Sequence, residues 1–354
     1  MKIIQVIPFF GLGGAEIMCE NLVYELKKRG HEVVVLSLFR KKTPITERME
    51  KAQVDIRYLD KKQGIDLSMY RKLKAIFKQE KPDIVHTHLY VAKYVFPVAA
   101  AMKIKVVHTL HSIAEKENGN MERKLNDFFF KHCRLIPVAL SELVRDTVVR
   151  EYGISKDKIP VIYNGVDLSK CLPKKDYAVD GNFKILHVGS FSEPKNHIGL
   201  LRAFKLFHDK HKDSELWLIG DGQKRAEIES FVNENDLVTS IKILGQQSNV
   251  FQFLRDADIF TLPSNYEGIP MSLIEAMGTG LPIVATAVGG VPDMLTHMEN
   301  ALVVENDVEK IAMAFESYYE DSTMRETFGQ EAYKRANAFS ASTMAKKYTD
   351  VYFQ

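Results

Sequence analysis

Two glutamates, Glu267 and Glu275, stand eight positions apart in "EGIPMSLIEAMGTG", residues 267–280. They bracket Gly268 and Pro270, and a helix-like run begins near Met271. Glycine lets the backbone approach a ligand closely, and a helix start offers unpaired N–H groups and a positive dipole end. That combination suits a phosphate. Glu275, about one turn inside the helix, is placed to accept hydrogen bonds from ribose hydroxyls. Glu267, ahead of the turn, is placed to reach whatever lies beyond the phosphates. The spacing also allows a plainer arrangement, with Glu267 capping the helix and Glu275 facing solvent.

A second candidate is Lys195, in "VGSFSEPKNHIGLLRAF" (188–204). A strand, a turn, a lysine and then a helix make a good anion site. One exposed lysine in such a loop would look the same. The glycines Gly11, Gly13 and Gly14 after the first strand invite a dinucleotide reading. GxGxxG, however, needs a glycine where Glu16 stands, and the second strand ends without an acidic residue for a ribose. No GxxxxGK[ST] motif occurs. His86, His88, His108 and His111 crowd two strand ends, with no Cys, Asp or Glu completing zinc spacing; a polar cleft wall suits them better, His111 above all. Asp256 and Asp258 precede a strand, away from the expected ligand side, so no metal site is expected.

The elements that must position these residues follow a rhythm. Strand-like runs at 2–10, 31–38, 82–88, 103–111, 134–141 and 159–167 alternate with helix-length segments. The pattern restarts at 182–190 and continues through "SELWLIGDG", "IKILGQ", "DIFTLPS" and "LPIVAT". This is the signature of βαβ units and parallel sheets covered on both faces. Residues 169–182, polar and proline-bearing, read as a linker. The expected fold class is α/β, with two Rossmann-like doubly wound domains facing across a cleft. Ligands are then expected at the carboxyl ends of the strands.

The 354 residues suffice for two cores, and 45% hydrophobic with 27% charged residues fits a soluble globular chain. The longest uncharged apolar run, residues 94–102, contains a proline and is too short to span a bilayer. The N-terminus lacks a signal-peptide layout. Three cysteines without CxxC spacing point to reduced thiols and a cytoplasmic location. The net charge of +2 hides an asymmetry. Residues 1–172 hold 30 Lys+Arg against 20 Asp+Glu, and residues 173–354 hold 18 against 26. A basic first half suits an anionic membrane face or an acidic acceptor; solvated helix surfaces are the plainer account. "NMERKLNDFFFKHCRLI" (120–136) puts Leu125, Phe128, Phe129 and Ile136 roughly on one stripe flanked by basic residues. It fits a membrane surface or a core-facing helix equally. No RNA- or DNA-binding motif occurs, so nucleic acid is not an expected partner.

The stretch "SNYEGIPMSLIEAMGTGLPIVATAVGGVPDML" (264–295) closely resembles the E-x7-E region of retaining glycosyltransferases of family 4, which have the GT-B fold. The resemblance covers nearly the whole chain. "GLGGAE", "VVHTLHS", "VIYNGVD", "HVGSFSEPKN", "LIGDGQKRAEIE" and "ILGQQSNV" follow in the family's order. "FSASTMAKKYTDVYF" is similar to the terminal helix that returns to the first domain. Three parts are implied: an acceptor-binding domain over 1–168, a nucleotide-sugar-binding domain over 169–338 and a returning helix over 339–354.

The resemblance also implies roles. His111, Lys195 and Glu267 form the catalytic set, with His111 and Glu267 on the donor sugar and Lys195 on the diphosphate. Gly13 and Gly14 lie beneath that diphosphate, Gly245 and Gln246 meet the base, and Glu275 holds the ribose. Gly268 and the backbone of Met271, Ser272 and Leu273 cup the phosphate. Many members have arginine where this chain has Ser190, so one diphosphate cation is missing or comes from elsewhere. The implied reaction is metal-independent, configuration-retaining transfer of a sugar from a nucleoside diphosphate sugar, a UDP-sugar by commonness among such relatives. The acceptor is a hydroxyl of a glycan or lipid-linked glycan at the cytoplasmic membrane face, in bacterial surface-polysaccharide synthesis. An epimerase of GT-B shape and a non-catalytic donor-binding subunit remain open at this point.

Overall fold

A computed structural model describes the chain except residues 12, 115–119 and 248 and the side chains of 120 and 121. One residue of the first glycine loop and one two positions after Gln246 thus lie outside the described residues.

The chain divides into two units, Met1–Gly165 with Ala341–Gln354, and Val166–Ser340. The first holds a parallel sheet of β1 (Lys2–Ile7), β2 (Glu32–Ser37), β3 (Asp55–Tyr58), β4 (Ile84–His88), β5 (Lys105–Leu110) and β6 (Leu135–Ala139), in the order β3-β2-β1-β4-β5-β6. The second holds β7 (Phe183–Val188), β8 (Ser214–Ile219), β9 (Ile241–Gly245), β10 (Ile259–Leu262), β11 (Ile283–Thr286) and β12 (Leu302–Val304), in the order β12-β11-β10-β7-β8-β9. Both are the doubly wound order, in which the winding reverses between the first and fourth strands of each set. The central strands are apolar along their length because helices cover both faces. In β2, Val33 to Leu36 are all buried, and so are all four residues of β10.

Sequence and structure differ in three places. Residues 159–167, expected as a strand, make only isolated bridges at Val161 and Val166. The short edge strands β3 and β12 were not expected; four and three residues carry too little periodicity to register. The 120–136 stripe also divides. The helix Asn120–His132 buries Phe129 and Phe130, leaves Phe128 54% exposed, and Ile136 belongs to β6. Among the described residues, no helix is long and apolar enough to cross a membrane.

The terminal helix, Ala341–Phe353, completes the first unit. It buries Met344, Tyr348, Val351 and Tyr352, and Lys105 Nζ caps its end by donating to the carbonyls of Val351 (3.0 Å) and Tyr352 (2.9 Å). Emptying the space of one large buried aromatic costs about 3–5 kcal/mol, so removing two approaches a domain's whole stability. A chain ending at Ser340 is expected to lose the first unit's share of the circular-dichroism unfolding transition. Trp217, the only tryptophan, sits on β8 of the second unit. Its fluorescence transition should persist in the truncated chain; loss of both signals together would count against separate units.

Candidate functional site

The reversal point of the second sheet lies between β7 and β10. The loops leaving those two strands carry Lys195 and Glu267. After Val188 the chain passes Gly189 and Ser190, makes a short 3-10 turn over Glu193–Lys195, and enters the helix His197–Lys210. Asn196, at φ +50°, turns the corner and caps that helix with its own side chain at Gly199 N. After Leu262 the second loop passes Ser264 and Glu267, then starts the helix Met271–Thr279 at Pro270.

These loops bring Lys195 and Glu267 together. Lys195 Nζ lies 2.6 Å from Glu267 Oε1, and Ser264 Oγ donates to the same oxygen at 2.6 Å. The two charged side chains are only 16% and 6% exposed. Glu267 is therefore no helix cap: it points at the lysine, and the helix start has no side-chain cap. Its main chain is pinned by a tight crossing. Gly289 has φ +59°, and a Cβ there would stand 1.7 Å from the Glu267 carbonyl oxygen. Only glycine satisfies both conditions. Side-chain amides knit the surrounding loops. Asn196 Nδ2 donates to Pro263 O (3.1 Å) and Asn306 Oδ1 (2.8 Å), and Asn306 Nδ2 donates to Asn265 Oδ1 (2.5 Å). Ser264, Asn265, Gly289 and Asn306 carried no assignment from the sequence, because their roles depend on loops far apart in the chain.

At the helix start, Leu273 N already donates to Pro270 O at 3.2 Å. Of the three residues expected to cup a phosphate, Met271 and Ser272 thus present the open N–H groups, and Gly268 stands before them with open space where a Cβ would be. Ser190 is exposed, and its hydroxyl meets Ser192 Oγ at 3.0 Å. A cation does stand at this loop: Lys224, whose N–H donates to Phe191 O and whose Nζ lies 3.0 Å from Glu193. Gly245 ends β9 at φ +66° with its carbonyl accepting from Gly220 N, and Gln246 beside it is exposed.

In the first unit, Gly13 and Gly14 open the helix Gly14–Lys28. The Glu16 carboxylate folds back over Gly11 and Gly13, with an oxygen 2.7 Å from where a Gly13 Cβ would stand. That helix start therefore already faces an acidic group. His111 follows β5 and is bonded to His88. Burial drives its pKa down to about 3. Among the described residues, no three His, Cys, Asp or Glu side chains group as a metal site. Asp258 instead accepts from Lys184 N at 2.7 Å.

Two family descriptions match the chain, "Glycosyltransferase Family 4" over residues 12–170 and "Glycosyl transferases group 1" over residues 172–335. The chain belongs to glycosyltransferase family 4. A UDP-Gal:alpha-D-GlcNAc-diphosphoundecaprenol alpha-1,3-galactosyltransferase from Escherichia coli is 26% identical over 306 residues, covering 81% of this chain and 79% of that protein. A glycosyltransferase structure from Rickettsia africae matches at TM-score 0.85 and 21% identity, over 99% of this chain and 97% of that one. HepE from Anabaena, crystallised with UDP, matches at TM-score 0.84 and 17% identity, over 99% of each chain. The fold of this family 4 chain is GT-B.

The second carboxylate of the family 4 motif differs from the first. Glu275 sits one turn inside the helix Met271–Thr279, its carbonyl accepting from Thr279 Oγ1 at 2.9 Å. No donor among the described residues meets its carboxylate. Burial pushes that carboxyl up to about 7, with Lys170 pulling it back. The sign follows from linkage. A raised carboxyl pKa means the folded state holds its proton to higher pH than the unfolded state, so stability falls between about pH 4.5 and 7 and stays lowered above. Glu275→Gln is expected to match the parent at pH 4.5 and exceed it by up to about 3 kcal/mol at pH 8. Denaturant unfolding at both pH values checks this; equal stability at pH 8 would show that Glu275 is solvated.

Proposed function

We propose that this chain transfers a sugar, with retained anomeric configuration, from a UDP-sugar to a hydroxyl of a glycan or lipid-linked acceptor. The observation that carries the reading is the buried Lys195–Glu267 pair beside the open helix start at Met271 and Ser272. A diphosphate arriving at that helix start offers Lys195 a better partner than Glu267, because it carries more charge and more acceptor oxygens. Lys195 and the helix end then stabilise the charge that builds as the diphosphate departs from the sugar carbon. This neutralisation uses an ammonium and backbone dipoles, so metal independence is part of the proposal.

Glu267, relieved of the lysine, turns to the sugar hydroxyls. With Ser264 still donating to one oxygen it is a hydrogen-bond acceptor rather than a nucleophile, in keeping with departure and attack on one face. Glu275, without a donor of its own, takes the ribose. The segment at Gly245 and Gln246 takes the base, and Lys224, hydrogen-bonded to Phe191 O and paired with Glu193 and Glu227, supplies the charge that Ser190 lacks. By family resemblance His111 meets the donor sugar, and Gly13 and Gly14 lie beneath the diphosphate. The first unit is assigned to the acceptor and the second, Val166–Ser340, to the donor.

The Escherichia coli relative is named for a UDP-sugar donor and a diphosphoundecaprenol-linked acceptor. That name supports a UDP-sugar donor and a lipid-linked glycan acceptor; a role in surface-polysaccharide synthesis and work at the inner membrane face are further parts of the proposal. The basic surplus of residues 1–172 suits that setting.

The test is UDP release from a panel of UDP-sugars, with and without membrane extract and with EDTA. Acceptor-dependent release unaffected by EDTA is expected. Epimerised sugar without an acceptor, or no turnover of any donor, would replace the proposal with an epimerase or a non-catalytic subunit. Lys195→Ala is expected to lower turnover about 10²- to 10³-fold. Glu267→Gln removes the competitor for Lys195, so it should bind UDP more tightly while losing transfer. Weaker UDP binding by that variant in calorimetry would refute the exchange of partners.

A further inference from the structure

Inside the first unit runs a chain of side-chain hydrogen bonds that the family motifs do not announce. Tyr348 Oη lies 2.7 Å from Thr109 Oγ1, and Thr109 Oγ1 lies 2.7 Å from His86 Nε2. His86 Nδ1 is 2.7 Å from Tyr352 Oη. Gln5 Nε2 donates to that phenol at 3.5 Å, and Gln5 Oε1 lies 2.8 Å from His88 Nε2. His88 Nδ1 meets His111 Nε2 at 3.1 Å. Gln5, His86, His88, Thr109 and Tyr348 are fully buried and Tyr352 is 2% exposed, so water does not complete these bonds.

The chain has a direction. An amide oxygen only accepts, so the proton of His88 sits on Nε2, toward Gln5. A neutral His88 then offers a lone pair at Nδ1, and the bond to His111 needs a proton on His111 Nε2. Protonating either ring would set two N–H groups against each other. We infer that His88, seated by Gln5 and the phenols of the terminal helix, is a positioning residue that holds His111 neutral, with its proton on Nε2. The functional meaning rests on the proposed contact of His111 with the donor sugar. There, an uncharged ring would not oppose positive charge growing on the sugar carbon.

Among the described residues, the titratable groups along the chain are His86 and His88 on β4, His108 on β5, Tyr348 and Tyr352 on the terminal helix, and Cys19 on the first helix; Glu16 and Glu20 act on Cys19, and Lys105 lies at the Tyr352 carbonyl. The imidazoles, phenols and thiol are uncharged near neutral pH, since burial holds the imidazoles down and the phenols and thiol up.

The experiment is a long-range proton–nitrogen spectrum of the histidine rings in ¹⁵N-labelled full-length protein, with His111 assigned by comparison with His111→Gln. The wild type should show the Nε2–H form of His111 and no titration from pH 5 to 8. His88→Leu removes the acceptor. His111 should then titrate inside that window, and kcat/KM should fall about tenfold per pH unit below about 6.5. His88→Gln, whose amide can accept from His111 and donate to Gln5, should restore the flat profile. A wild-type ring protonated on Nδ1 overturns the inference, as does a folded His88→Leu protein with His111 unchanged. The wild-type spectrum decides the tautomer even should the leucine variant not fold. It also needs no donor, so failure of UDP to bind would strike the donor-site reading and leave the tautomer standing.

Discussion

The second unit is organised around one electrostatic constraint, an ammonium and a carboxylate held 2.6 Å apart with little access to water. Taking either charge out of solvent alone would cost several kcal/mol, and pairing removes most of that penalty only when geometry is good and other bonds complete it. Here the Ser264 hydroxyl shares the carboxylate oxygen, the Gly289 crossing brings the loops close, Gly189 leaves room for the Lys195 stem, and the Asn196–Asn306–Asn265 amides fix them. A site built this way is poised, because a ligand that supplies oxygens to the lysine and hydroxyls to the glutamate can replace the pair without stranding either charge.

The two units share a strand order and use it in opposite ways. At the second reversal point the polar groups are ionic and lie at the loop ends. At the first, between β1 and β4, they are neutral and run inward from His111 through His88 and Gln5 to the phenols of the terminal helix. A neutral chain is the physically cheaper way to bury polar atoms, provided every donor finds an acceptor. It also sets directions: each member's hydrogen is fixed by its neighbour's. The terminal helix thereby enters the chemistry of the first unit as well as its core.

Much of the architecture was legible from strand-like runs such as 2–10 and 182–190, because parallel strands buried on both faces leave continuous apolar stretches. The short edge strands β3 and β12 left none, and residues 159–167 look like a strand because Ile159, Ile162 and Val166 are buried without pairing along a ladder. Glu267, Lys195 and Glu275 could be picked out because a glycine turn or a loop-to-helix junction marks each. What spacing could not distinguish was the state of the two glutamates. The capped-helix alternative fails because Glu267 turns to a lysine 72 positions away. The exposed alternative for Glu275 fails because the surrounding fold half-buries its side chain. Ser264, His88 and Tyr352 were silent for a related reason: a hydroxyl or ring gains its role only from partners that distant segments deliver.

One feature of the connectivity reaches beyond the finished molecule. The last segment of the first unit, Ala341–Gln354, is synthesised after all of Val166–Ser340. Until it emerges from the ribosome, His86 and Thr109 lack their phenolic partners and the apolar side chains that meet the terminal helix stay uncovered. The usual order of vectorial folding, amino-terminal domain first, is therefore inverted. The second unit can close while the amino-terminal one waits, and during that interval the apolar side chains that await the terminal helix are a natural target for chaperones.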